Sequence, residues 1–160
     1  MPEQYLDKNA GRFIPAFFVD IIEKGALFEK DEWPPHITMF PPIEEPFQPE
    51  FIKEMRARLN PIRPFVVTLG RNALFGANND IPVIRIANSP ELQLVHARLT
   101  KTIGNLLHDP TYRQPYNPHI THIPDREFNE GDEIEIAGFS IASKPAGEEW
   151  TVVDKVGFKG

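Results

Sequence analysis

His36-Ile37-Thr38-Met39-Phe40 and His119-Ile120-Thr121-His122-Ile123 share one pattern, His-apolar-Thr-x-apolar, and each follows a proline, Pro35 or Pro118. Each half of the 160-residue chain carries one copy. In a β-strand, side chains two apart point to the same face. His36 and Thr38 therefore share a face, with Ile37 and Met39 opposite. His119 and Thr121 repeat this, with Ile120 and His122 opposite. A ring nitrogen beside a hydroxyl, presented twice, suits a phosphodiester. The hydroxyls can donate to phosphate oxygens, while one imidazole takes a proton and the other gives one.

Working outward, Arg12 to Asp20 reads as a strand, with Pro15 marking an edge or a break. A turn around Gly25 and the stiff Trp33-Pro34-Pro35 lead into the first motif strand, which Pro41-Pro42 ends. Glu50 to Leu59 is a predicted helix, with Ile52, Met55 and Leu59 on one stripe and Asn60-Pro61 as its stop. Phe65 to Leu69 and Val83 to Ala87 are strands around a turn-rich stretch, Gly70 to Asp80. Ser89 as N-cap and Pro90 at the first helical position start a helix to about Leu107. Its stripe is Leu92, Val95, Leu99, Ile103 and Leu106. Asp109-Pro110 ends it, and 111–118 is a loop before the second motif strand, which Pro124 closes. Ile134, Ile136, Phe139 and Ile141 alternate with a slip at Ala137-Gly138, read as a β-bulge. Trp150, Val152, Val156 and Phe158 form a final strand. Asp154 falls in their apolar phase, so it is at a rim or paired. Strands outnumber helices and hairpins are expected, which gives an α+β class.

The hydrophobic fraction of 41% and charged fraction of 25% are those of a globular chain, and 12 Phe suffice for a substantial core. The chain has no Cys, which excludes disulfides and thiolate metal sites. Met1 to Tyr5 has no signal-like pattern, and no apolar run approaches the ~20 residues that span a bilayer. A cytoplasmic protein without a membrane partner is the expectation. The net charge of −6, from 17 Lys+Arg against 23 Asp+Glu, argues against a long RNA track and for a small substrate.

The paired His-x-Thr motifs resemble those of the 2H phosphoesterase family, which includes the 2′-5′ RNA ligase-like and 2′,3′-cyclic phosphodiesterase proteins. The resemblance implies one bilobal domain over 1–160, two similar lobes of antiparallel sheet with outer helices around a cleft. One lobe carries His36-Ile37-Thr38 and the other His119-Ile120-Thr121. It implies His36 as catalytic acid and His119 as base, with Thr38 and Thr121 holding the phosphate. The chain departs from many members after the second motif. They carry an Arg three residues beyond the Thr, where this chain has Pro124, with Arg126 two further on.

Either histidine alone is an ordinary strand residue; the pair, each with Thr at +2, points to catalysis. Tyr112, Arg113, Tyr116 and Trp33 are the expected substrate-binding lip, stacking a base and steering a phosphate. Arg113 is the one basic residue placed at the cleft mouth. His122 is a structural or surface residue, His96 a boundary residue of the second helix, and His108 a helix-end cation. No cofactor or metal is expected, because His119 and His122 point apart and no ligand set emerges. The expected activity is metal-independent hydrolysis of a 2′,3′-cyclic phosphate or related 2′-linked phosphodiester by a monomer. The ligand is a small nucleotide, a cyclic oligonucleotide or a short RNA end. A phosphodiesterase for cyclic oligonucleotide signals and a non-catalytic nucleotide- or RNA-binding module remain as alternatives.

Overall fold

The computed structural model describes residues 11–29, 32–104, 116–145 and 149–160. Tyr112, Arg113, His108 and the predicted helix end beyond Gly104 lie outside the described residues. The chain runs β1 (Arg12–Phe18), β2 (Leu27–Phe28), β3 (His36–Thr38), α1 (Pro49–Leu59), β4 (Phe65–Phe75), β5 (Ile81–Ile86), α2 (Pro90–Ile103), β6 (His119–Thr121), β7 (Glu133–Ile136), β8 (Gly138–Lys144) and β9 (Trp150–Gly157). The nine strands form a sheet of order β2-β9-β8-β1-β3-β6-β5-β4-β7, with antiparallel neighbours throughout. With the two helices among the described residues, the chain is α+β.

Both helices form where local chemistry dictates. Ser89 accepts a hydrogen bond from the Leu92 amide at 3.2 Å, and Pro90 occupies the first turn, where its missing N–H costs nothing. Leu92, Val95, Leu99 and Ile103 form its buried stripe, as Ile52, Met55 and Leu59 do in α1. These stripes meet Phe17, Ile37, Ile84 and Ile120 from the sheet in one core cluster. Ile37 and Ile120 are fully buried there, so the residues flanking them, the histidines and threonines, face the other way. On that other face lies a smaller apolar cluster of Ile14, Ala16, Phe28, Ala142, Trp150 and Val152.

Three sequence expectations need correction. Pro15 is neither at an edge nor at a break: β1 lies between β8 and β3. Phe13 exchanges backbone hydrogen bonds with Ile43, so odd residues of β1 turn their N–H toward the β3 side. There β3 pairs only with Ala16 to Phe18, and the missing donor of Pro15 falls in the gap between that pairing and Ile43. Residues 70–75 continue β4 rather than forming turns. The hairpin itself closes at Gly76 and Asn79, both at positive φ. The slip at Ala137-Gly138 is not a bulge but a change of partner. β7 pairs with β4 at one end of the sheet, and β8 pairs with β1 and β9 toward the other. Only Ala137 separates them, so the nine strands curl to bring those ends together. Gly138 permits the approach, since a Cβ there would lie 2.3 Å from the carbonyl oxygen of Val156. The extra residue in this region is in β9, where the register shifts opposite Ile141 and Ala142. Asp154, in the apolar phase, is paired: its carboxylate accepts from Arg56 at 2.9 Å.

Candidate active site

The two motif strands are neighbours, joined through Ile37 opposite Ile120. Antiparallel register then sets His36 across from Thr121 and Thr38 across from His119. Directly opposed side chains in such a pair have Cβ atoms about 4.5–5.5 Å apart, and diagonal ones about 7–8 Å. The four groups thus form a square on one face, with the histidines on a diagonal. Each strand is three residues long, so this seam is the entire join between them.

Both imidazoles are oriented in the same way. His36 Nδ1 lies 2.8 Å from the Pro34 carbonyl oxygen, and His119 Nδ1 lies 3.0 Å from that of Asn117. A carbonyl oxygen can only accept, so Nδ1 carries the hydrogen in each ring. Nε2 is left as the nitrogen able to take or give a proton. His36 packs against Trp33 at 4.8 Å and Phe18 at 5.8 Å between ring centroids. Burial holds its pKa below the ordinary 6.5. The Pro34 hydrogen bond opposes this, and the nearby His119 adds to it. His119 is half-buried and meets the Phe75 ring edge-on at 4.5 Å. Thr38 is half-buried and Thr121 exposed.

Three cations lie around this face. Arg85, on β5, is directly opposite His119, and its guanidinium carbon sits 5.1 Å over the Phe75 ring. A cavity of about 470 Å³ opens beside His36 and Thr121, walled by Trp33, Trp150 and Ile14 and also lined by Arg12 and Lys144. Arg12 and Lys144 oppose each other on β1 and β8. These three are basic residues that the sequence reading, which placed only Arg113 at the cleft mouth, did not place there; Arg113 itself lies outside the described residues. Arg126, two positions past the Pro124 that replaces the family's arginine, is held by Asp20 at 2.6 Å. The signal for Arg85 and Arg12 was their phase. Each stands two residues from an apolar side chain of the same strand face, Val83 or Ile14, but only the cross-strand register tells which face that is.

Among the other expected site residues, Trp33 does line the cavity beside His36. Tyr116 is not part of a lip. It is buried, its hydroxyl donates to the Thr38 carbonyl oxygen at 2.7 Å, and its ring stacks on His96 at 4.2 Å. No open face remains for a base. His96 is not a boundary residue either, being 2% exposed between Phe40 and Tyr116 and hydrogen-bonded to the Met39 backbone. His122 bonds to Asn72 Oδ1 at 2.6 Å and takes no part in the square. Among the described residues no three His, Asp or Glu side chains converge as a metal site, and no helix is long and apolar enough to cross a membrane.

Comparison with known proteins gives matches of three kinds. The family model for the 2′-5′ RNA ligase superfamily matches residues 24–127. A candidate phosphoesterase of Bacillus cytotoxicus is 30% identical over 90 residues, 55% of this chain and 50% of its own length. That match spans about half of the relative. Among solved structures, TT0787 of Thermus thermophilus superposes with a TM-score of 0.59 at 20% identity, over 93% of this chain and 98% of that one. E. coli LigT complexed with NADP+ gives a TM-score of 0.59 at 15% identity, over 95% and 99%. LigT complexed with 3′-AMP gives 0.57 at 15%, over 94% and 99%. At such identities the likeness is one of fold.

Proposed function

Because the chain belongs to the 2′-5′ RNA ligase superfamily, we propose that it is a phosphodiesterase that hydrolyses a 2′,3′-cyclic phosphate or a related 2′-linked phosphodiester with its two histidines. The observation that carries this is the square of His36, Thr121, Thr38 and His119 on one face, with Nδ1 of both rings tied to a carbonyl. Water attacks phosphorus as one neutral imidazole takes its proton at Nε2. The bond from phosphorus to the departing ribose oxygen breaks, and the protonated imidazole supplies that oxygen's proton from its own Nε2. Thr38 and Thr121 donate to the non-bridging oxygens and favour the extra charge of the pentacoordinate state. Arg85 adds a cation beside His119 and can take the role of the arginine that Pro124 replaces. No cofactor enters this scheme.

The surroundings of His36 support one assignment of roles. Burial under Trp33 and Phe18 disfavours charge on His36, which suits the base. His119 is then left as the acid. This is the reverse of the family's usual assignment. The pH profile of kcat/KM reports the free enzyme and separates the two. The acidic limb disappears in His36→Ala if His36 is the base, and in His119→Ala if His119 is the base.

The activity itself is tested by incubating the protein with 2′,3′-cyclic nucleotides, cyclic dinucleotides and 2′-5′-linked dimers. Product from the first or third class supports the reading. Product from the cyclic dinucleotides alone replaces it with degradation of cyclic signals. Binding without product from any of them makes the protein a nucleotide-binding module.

A further inference from the structure

We infer that the cavity beside the motif square is a subsite for a second phosphate, held by Arg12 and Lys144, and that the preferred ligand is a short oligonucleotide rather than a mononucleotide. This rests on the phosphodiesterase reading above and deepens it.

Like charges directly opposite on neighbouring strands destabilise a sheet, and Arg12 and Lys144 are such a pair. The neutralisation on offer is slight. Arg12 has Glu44 at 3.8 Å, both side chains being partly open to solvent, and no carboxylate pairs with Lys144 among the described residues. A surface pair of that length contributes little. An anion between the two cations relieves their repulsion. They line the same cavity as His36 and Thr121, so the anion belongs to whatever occupies the motif square.

The separation selects the ligand. Arg12 stands four residues along β1 from Ala16, the partner of Thr38, and six from Phe18, the partner of His36, roughly 13–20 Å of strand. Long side chains at both ends shorten the gap, yet it exceeds what one phosphate bridges. Between the two ends lie Trp33, Trp150 and Ile14, an apolar and aromatic wall suited to a base or ribose. A cavity of about 470 Å³ holds a nucleotide-sized ligand. Phosphate, apolar ring and phosphate, in that order, describe the end of an oligonucleotide. The net charge of −6 does not conflict, because one added phosphate needs these two cations and no extended basic track.

The test compares three substrates: a nucleoside 2′,3′-cyclic phosphate, the same compound with a 5′-phosphate, and a dinucleotide ending in the same cyclic phosphate. The dinucleotide is expected to show a kcat/KM about tenfold or more above the first, the worth of one charge-assisted hydrogen bond. Lys144→Ala and Arg12→Ala should lower the dinucleotide value about tenfold more than the mononucleotide value. Lys144→Gln, which keeps the stem, must do the same if charge and not packing is responsible. If the 5′-phosphate alone brings the gain, the second phosphate lies on the same nucleotide and the oligonucleotide inference is overturned. Equal rates for all three, or equal losses on mono- and dinucleotide, overturn the subsite.

Binding of a labelled dinucleotide to the His119→Ala protein separates this from the catalytic reading. Lys144→Ala should reduce the slope of log K against log salt by about 0.7, the value for one phosphate contact on a single strand. Absence of turnover by the unaltered protein with that salt effect intact removes the catalytic reading and keeps the subsite. Turnover with an unchanged slope does the reverse.

Discussion

Tyr116→Phe removes one oxygen atom and separates two accounts of that residue. The hydroxyl reaches from the segment before β6 to the carbonyl of Thr38 in β3, at 2.7 Å, across the seam that sets the spacing of the two histidines. Phenylalanine keeps the ring and its stack on His96. The lost hydrogen bond is worth about 1 kcal/mol, with a range of roughly 0.5–1.5. For a chain of this size that lowers Tm by about 2–4 °C. Catalysis should suffer more than stability. A join of two three-residue strands has few other bonds to hold it, and a displacement of about 1 Å in a reacting group can cost about a hundredfold. The expected result is a kcat lower by roughly ten- to a hundredfold with KM little changed. Thermal denaturation and steady-state kinetics on a cyclic nucleotide measure both. A ring used for base stacking would survive the substitution, so unchanged kcat and Tm would refute the clamp. A raised KM at constant kcat would return Tyr116 to the substrate.

His36→Ala and His119→Ala should each lower turnover by roughly 10²–10⁴-fold, and Thr38→Ala or Thr121→Ala by less; near-native rates in both histidine variants end the proposed mechanism. Arg85→Ala should lower kcat/KM by about tenfold or more while leaving the fold intact, and circular dichroism beside kinetics checks both halves of that statement. Burial also holds the His96 pKa below 6.5, with the Met39 backbone bond opposing. A neutral native histidine and a more readily protonated unfolded one mean that the stability contributed by burial is present above about pH 6.5 and is lost as pH falls through the native pKa. Denaturant unfolding at about pH 7.5 and about pH 5.5 should show a smaller loss in His96→Phe than in the unaltered chain; an equal loss would place the effect elsewhere.

Much of this was legible in local pattern. The two motifs gave the shared face of each histidine and threonine, because side chains two apart in a strand point one way; the pairing of the two strands came from the fold. Ser89-Pro90 located a helix start to the residue, since an N-cap is a contact within four residues. What escaped were facts of register and pairing. Ala137-Gly138 looks like a bulge, because a phase slip is the same in sequence whether the partner changes or not. Nothing in the sequence marks Arg12, Arg85 and Lys144 as neighbours of the site; strand register sets Arg12 across from Lys144 and Arg85 across from His119. Tyr116 read as a lip residue because a tyrosine before a motif carries no mark of which way its hydroxyl turns. Pro15 argued for an edge because the gap that accommodates it is made by Ile43, 28 residues away.

The change of partner at Gly138 also orders events in time. The side of the sheet that contains His36 is built from β1 and β3 but finished by β8 and β9, so it stays open until residues 138–157 have left the ribosome. The β4-β5 hairpin, with α2 following, consists of segments that are close in sequence and can form earlier. During synthesis Phe13 is met early, by Phe47 and Phe51, whereas Phe17 waits more than a hundred residues for Phe139. A pause or truncation ahead of β8 would leave an unpaired strand edge flanked by phenylalanines, the kind of species that associates with itself. The aggregation hazard of this protein thus lies in its first strand, although the step that removes it is made by its last two.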